Sequence, residues 1–143
     1  QELKLSIGPG EGPIGIVVCP ARELANQTYD IVKEMADALY KDGAPKLNCL
    51  LCVGGIPMRD QVVEARRGVH IIVATPGRLV DMLNKNKFTL INCKYLAVDE
   101  ADRMIDQSFE EEMRNIMNHF QAQRQTLLFS ATMPAKIKAF AKS

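Results

Sequence analysis

Tyr95-Leu96-Ala97-Val98-Asp99-Glu100-Ala101-Asp102 is the stretch on which the fold turns. Four residues, three of them aliphatic, run without alternation and stop at three carboxylates within four positions. A strand that is apolar on both faces is one covered on both faces, the habit of parallel sheets. Four more such runs flank it, at 14–19, 47–53, 69–74 and 126–129. Between them lie stretches with helical spacing. Leu24, Ile31, Met35 and Leu39 recur at near-helical intervals after Pro20, and Gly43 marks the stop. Residues 61–67 predict a shorter helix closed by Gly68. Thr75-Pro76 has the order of an N-cap followed by proline at the first helical position, with Leu79, Met82 and Leu83 on one face. Met113, Ile116, Met117 and Phe120 mark another helix, and Pro134 opens a last one through Phe140. Strand and helix alternate five times, which predicts an α/β domain with a parallel sheet flanked by helices.

Composition narrows the class. The 143 residues are 47% hydrophobic and 24% charged, an ordinary balance that excludes disorder, collagen and coiled coil. No apolar run approaches the roughly 20 residues that a membrane helix needs, so no contact with a membrane is expected. The net charge of +1 leaves any binding of nucleic acid to a local surface. Gly8, Pro9, Gly10, Gly12 and Pro13 give residues 1–14 a loop composition, read as a remnant of an upstream segment, with the domain over 15–143. The chain opens at Gln1, mid-pattern, and is expected to be a piece of a longer protein. Cys49 and Cys52 have the spacing of half a zinc site, but on a strand positions three apart point to opposite faces. With Cys19 and Cys93 they read as reduced core thiols. His70 reads as a strand-edge or core residue, and His119 as a helix-end residue.

In such sheets ligands bind beyond the carboxyl ends of the strands. After the runs, in chain order, come Pro20-Ala21-Arg22-Glu23-Leu24, Gly54-Gly55, Thr75-Pro76-Gly77-Arg78, Asp99-Glu100-Ala101-Asp102 and Ser130-Ala131-Thr132. Each strand end delivers polar residues or glycine, so one edge of the sheet is the working edge. A strand ending in Asp-Glu suits a hydrated Mg²⁺ beside a nucleotide, with the Glu as general base. It equally suits a solvated acidic turn capping the next helix. Thr75 to Arg78 offers helix-start N–H groups, a glycine and a guanidinium, a set suited to phosphate. Gly54-Gly55 permits close backbone approach or merely a tight turn. Arg22 serves either a phosphate or an ion pair, for instance with Glu23. Ser130 and Thr132 also fit as small polar residues ending a strand.

In order and spacing these five motifs resemble the first of the two RecA-like domains of a DEAD-box RNA helicase. Residues 68–79, 95–105 and 124–134 are most similar to the Abstrakt-like subgroup. The resemblance implies a RecA-like parallel sheet flanked by helices, incomplete because the P-loop strand is absent. It implies ATP and Mg as cofactors. Asp99 would hold Mg²⁺, mostly through water, and Glu100 would orient and activate the hydrolytic water, both on the Mg-ATP side. Asp102 would link to Ser130 and Thr132, coupling nucleotide state to RNA grip. Pro20, Arg22, Gly54, Gly55, Thr75, Pro76, Gly77 and Arg78 would line the contact with the RNA sugar-phosphate backbone, largely independent of sequence. The implied activity is RNA-stimulated ATP hydrolysis coupled to local duplex unwinding, by bending one strand between two closed domains. The implied partners are RNA, the second RecA-like domain and spliceosomal proteins. The implied setting is pre-mRNA splicing in the nucleus, with the cytoplasm as the alternative.

Departures from the pattern matter as much. Ala21 stands where the family usually has Thr. Gln107-Ser108 replace the usual Met-Gly, so a positive φ at 108 would strain Ser108. No glycine is followed by Lys, so the P-loop pattern Gly-x-x-x-x-Gly-Lys is absent from this sequence. The fragment alone is therefore expected to hydrolyse no ATP, and residues 126–129 are expected to form an unpaired edge prone to association. Two other readings compete. One is a module that grips RNA backbone or protein without chemistry. The other is a phosphoacceptor domain of the receiver kind, which needs an acidic pair after the first strand and a lysine after the fifth. This chain has Pro20 and Ser130-Ala131-Thr132 there.

Overall fold

The computed structural model describes residues 7–142. The first six residues of the expected loop at 1–14 therefore lie outside the described residues, and 7–14 reach the sheet without helix or strand. Five strands follow: β1 (Gly15–Val18), β2 (Cys49–Cys52), β3 (Ile71–Ala74), β4 (Tyr95–Val98) and β5 (Gln125–Leu128). Six helices join them: α1 (Arg22–Lys41), α2 (Met58–Arg66), α3 (Pro76–Asn84), α4 (Ala101–Asp106), α5 (Glu110–Asn118) and α6 (Ala135–Ala141). The sheet order is β2-β3-β1-β4-β5 and every pairing is parallel. In register, Val18 lies beside Ala74 and Val98, Cys52 beside Ala74, and Val98 beside Leu128. All five carboxyl ends thus finish along one rim.

Alternation along each strand builds two cores. Ile16, Leu50, Ile72 and Leu96 face Leu79, Met82 and Leu83 of α3, Met113 and Ile116 of α5, and Ile137 of α6. Burial of each such side chain stabilises the fold by about 1.5–3 kcal/mol. On the other face, Val53, Val73 and Cys19 pack with Ala25 of α1, and Leu24, Tyr29 and Val32 close over them. Cys52 joins the first core, whereas Cys49 lies in a cleft with Tyr29, Lys33 and Asp37 of α1. The two thiols therefore point to opposite faces. Burial pushes the Cys19 thiol up to about 11 and those of Cys52 and Cys93 up to about 12. His70 is buried, and its Nδ1 accepts the Asn48 backbone N–H at 2.9 Å.

The helix read from Leu24, Ile31, Met35 and Leu39 is present as α1, with Ile31, Met35 and Leu39 59%, 62% and 50% exposed. The buried residues of α1 are Ala25 and Ala36, which have no bulk to hold the helix off the sheet. One expectation needs correction: the link from β4 to β5 holds two helices rather than one. Two residues past the end of α4, Ser108 takes φ 61°. There the Ser108 N–H bonds Ile105 O at 3.0 Å and the Phe109 N–H bonds Met104 O at 3.0 Å, the double closure usually built on glycine. The positive φ expected at 108 is present, so Ser108 carries the strain.

Strand β5 is the outer strand beyond β4 and begins one residue earlier than the apolar run suggests, because Gln125 pairs with Tyr95. Its apolar side chains are poorly covered: Leu127 is 45% exposed and the adjacent Phe129 is 55% exposed. The apolar edge expected for residues 126–129 is thus observed.

Candidate functional site

At the end of β4 the chain turns sharply. Glu100 takes left-handed backbone angles (φ 48°, ψ 52°), which cost a residue with a Cβ about 1–2 kcal/mol. Strain of this kind persists where surroundings enforce it, commonly at working sites. The turn is held by the Asp99 carboxylate, whose Oδ1 accepts the Glu100 N–H at 2.9 Å, and by the Ala101 N–H, which bonds Phe129 O at 2.9 Å. One helical turn on, Arg103 reaches back and donates from Nη1 to Glu100 Oε2 at 2.8 Å. Asp99 is half-buried, with one carboxylate oxygen so engaged. No three His, Cys, Asp or Glu side chains group around a common point among the described residues. The half-buried Asp99 carboxylate, with its second oxygen outside that bond, is chemically suited to a cation that keeps most of its waters, as Mg²⁺ does.

Asp102 is tied to the loop after β5. Its backbone N–H donates to Ser130 Oγ at 3.1 Å, and Ser130 Oγ donates to Thr132 O at 2.6 Å. Thr132 Oγ1 donates to Asp102 Oδ2 at 2.9 Å, and the Arg103 N–H donates to Oδ1 at 3.0 Å. Chiefly through the Thr132 hydroxyl, and against partial desolvation, these bonds hold the Asp102 carboxyl below its ordinary value. The structure thus brings Asp99, Glu100, Asp102, Ser130 and Thr132 into one connected cluster at the ends of β4 and β5.

A second cluster occupies the ends of β2 and β3. Arg22, exposed at the first position of α1, donates from Nη1 to Gly54 O at 3.1 Å. Its contact is therefore a loop carbonyl rather than a carboxylate. Gly54 and Gly55 are exposed, and Gly55 has φ 85°, open to glycine at no strain. Arg78, in the first turn of α3, donates from Nη1 to Ile56 O at 2.8 Å and to Gln61 Oε1 at 3.0 Å. Thr75 is the N-cap of α3, but its side chain makes no capping bond, and Pro76 is buried at the first helical position. Gly77 is exposed beside it. Pro20 is buried where β1 leads to α1, whose N-cap Ala21 has no hydroxyl to give. Strand β1 lies between the two clusters on the same rim.

Two participants escape a reading of strand ends. Gln61 is 3% exposed and lies under the glycine turn. Its signal was an amide on the buried stripe of α2, beside Val62 and Ala65. Arg103 has the weaker signal of a cation three residues after Glu100.

A sequence profile described as DEAD/DEAH box helicase matches residues 3–140, nearly the whole chain. The chain belongs to the DEAD/DEAH box helicase family. Among its relatives, DEAD-box ATP-dependent RNA helicase 35 of Arabidopsis thaliana is 57% identical over 143 residues, covering 100% of this chain and 24% of the relative. ATP-dependent RNA helicase abstrakt of Drosophila melanogaster is 52% identical, covering 100% and 23%. The crystal structure of the yeast DEAD-box splicing factor Prp28 superposes with a TM-score of 0.89 at 30% identity, over 98% of this chain and 33% of that one. The five-stranded parallel sheet with its helices is thus part of a RecA-like DEAD-box domain. This helicase-family chain spans about a quarter of the length of the curated relatives that it matches.

Proposed function

We propose that this chain is the larger part of the first RecA-like domain of an ATP-dependent RNA helicase and carries the acidic half of its ATPase site together with an RNA-backbone grip. The observation that supports this most is the bonding of Asp102 to both Ser130 and Thr132 on the rim that also bears Arg22 and Arg78. It joins a candidate nucleotide site to the loop after β5, as a coupling device requires. Mg-ATP, when bound, supplies the phosphoanhydride to be cleaved. Asp99 would hold the cation of bound Mg-ATP. Glu100, its carboxylate steadied by Arg103, takes the proton of the attacking water. Gly54, Gly55, Thr75, Pro76 and Gly77 present backbone to the RNA, and Arg22 and Arg78 hold that backbone in place, with Pro20 shaping the start of α1. Contacts to sugar and phosphate are blind to base identity.

The likeness to a yeast splicing factor supports a role in pre-mRNA splicing, and with it the nucleus, spliceosomal proteins as partners, and a second RecA-like domain supplied by the longer protein. On its own, without a Gly-Lys phosphate loop in its sequence, the chain acts as a weak RNA-backbone binder that hydrolyses no ATP. The deciding experiment measures RNA-stimulated ATP hydrolysis by the full-length protein and by the Glu100→Gln variant. Hydrolysis in the former and its loss in the latter is the expected result. Full turnover by Glu100→Gln would reject the assignment of the base.

A further inference from the structure

Beneath the Gly54-Gly55 turn lies one of the few polar side chains buried in this protein, and its bonding makes it more than core filling. A buried amide without partners costs folding free energy, so Gln61 at 3% exposure must be satisfied. It is satisfied on both sides. Nε2 donates to Val53 O at 3.0 Å, and Oε1 accepts Arg78 Nη1 at 3.0 Å. The amide's orientation is forced, since a carbonyl only accepts and a guanidinium only donates. Gln61 thereby links the end of β2 to the first turn of α3 through α2.

The consequence falls on the turn above it. Arg78 Nη1, held by Gln61, also grips Ile56 O at 2.8 Å, while Arg22 grips Gly54 O at 3.1 Å from the other side. Two carbonyls of the turn are thus pinned by two guanidiniums. In a trans peptide the N–H lies opposite the carbonyl, so pinning Gly54 C=O on Arg22 aims the Gly55 N–H away from the arginine. A chain segment with exposed glycines and fixed peptide planes is preorganised to donate to a phosphate oxygen.

We propose that Gln61 is a positioning residue for phosphate-backbone binding: it locks Arg78 against Ile56 O and so fixes the Gly54–Ile56 turn in the orientation that meets the nucleic acid. This rests on the RNA-backbone reading above, and it adds a buried residue that touches no RNA and acts only through Arg78.

The test is a double-mutant cycle on this chain, read as the affinity for a single-stranded oligouridylate across a salt series. Gln61→Met and Arg78→Ala are each expected to weaken binding roughly tenfold, and the double variant no further than either single, because both changes release the same turn. Gln61→Glu keeps a strong acceptor for Arg78 while losing the donor to Val53 O, and is expected to recover most of the affinity. Losses that add in the double variant, or a Gln61→Met chain that binds normally, would overturn the inference. Backbone ¹⁵N relaxation gives a readout without RNA: the Gly55 and Ile56 amides should be ordered in the unsubstituted chain and in Gln61→Glu, and markedly more mobile in Gln61→Met. Unchanged order parameters also overturn the inference. An unsubstituted chain with no salt-dependent affinity for the oligouridylate defeats the RNA reading instead, whatever the relaxation data show.

Discussion

Thr132 donates its hydroxyl to Asp102 Oδ2 at 2.9 Å across thirty residues of sequence, closing a ring that Ser130 completes through the Asp102 N–H. The bond holds the Asp102 carboxyl below its ordinary value of 3.8. A lowered folded-state value contributes stability that is present above the ordinary value and is lost as pH falls through the lowered one. Thr132→Val should therefore melt below the unsubstituted chain at neutral pH, with the gap closing as pH drops below 3.8. Thermal melts of both chains from neutral to strongly acid pH measure this, and a gap that stays constant would contradict it.

Glu100 combines left-handed backbone angles with a carboxylate drawn toward Arg103 at 2.8 Å. In the full-length protein, Glu100→Gln should lower kcat for ATP hydrolysis by about 10²–10⁴, the range typical of a lost general base. Binding of ATP should change little, since the amide keeps the shape of the side chain. Steady-state turnover with a separate nucleotide-binding titration distinguishes these effects.

The outer strand β5 leaves Leu127 exposed, as is Phe129 just after it, and there is no charged residue between Gln125 and Phe129 to discourage pairing. The chain should self-associate as concentration rises, and Leu127→Lys should suppress this by placing a charge on the exposed edge. Light scattering over a concentration series checks the outcome. A strictly monomeric unsubstituted chain would refute it.

Ser108 closes α4 with φ 61°, where glycine is at ease. Ser108→Gly relieves the left-handed strain, and part of the gain is offset by the greater freedom of glycine in the unfolded chain. The net stabilisation should be about 1 kcal/mol, or roughly 2–4 °C in Tm for a domain of this size. Calorimetry of the two chains gives the comparison directly.

Burial raises the Cys19, Cys52 and Cys93 thiols from an ordinary 9.0 to about 11, 12 and 12. A raised folded-state value leaves stability intact below 9.0 and erodes it as pH climbs from there toward 11 or 12, because only the unfolded chain ionises freely. Denaturant midpoints measured from pH 8 upward should fall along that window, and Cys93→Ala should flatten the fall.

Much of this architecture was legible in the order of residues. Five unbroken apolar runs required a sheet covered on both faces, and the polar residue after each run required a single rim. Both follow from local rules, the period of a strand and the burial of its faces, that need no partner to be known. The same local rules found α1 as a helix but not its contact face, which the small residues Ala25 and Ala36 form while Ile31, Met35 and Leu39 stay exposed. At Ser108 the strain was legible only by comparison with the glycine usual there, while the break between α4 and α5 that it makes was not.

From its sequence alone this protein had an α/β sheet, a working edge, and acids and arginines assigned to that edge, because side-chain chemistry at strand ends is a one-dimensional pattern. Only the packed chain could decide which groups meet there. Gln61 came to rest between Val53 and Arg78, and Arg22 against the Gly54 carbonyl, because contacts between distant residues depend on how helices seat on the sheet. That seating is settled by the bulk of neighbours and the need to satisfy each buried donor and acceptor, which no single segment encodes.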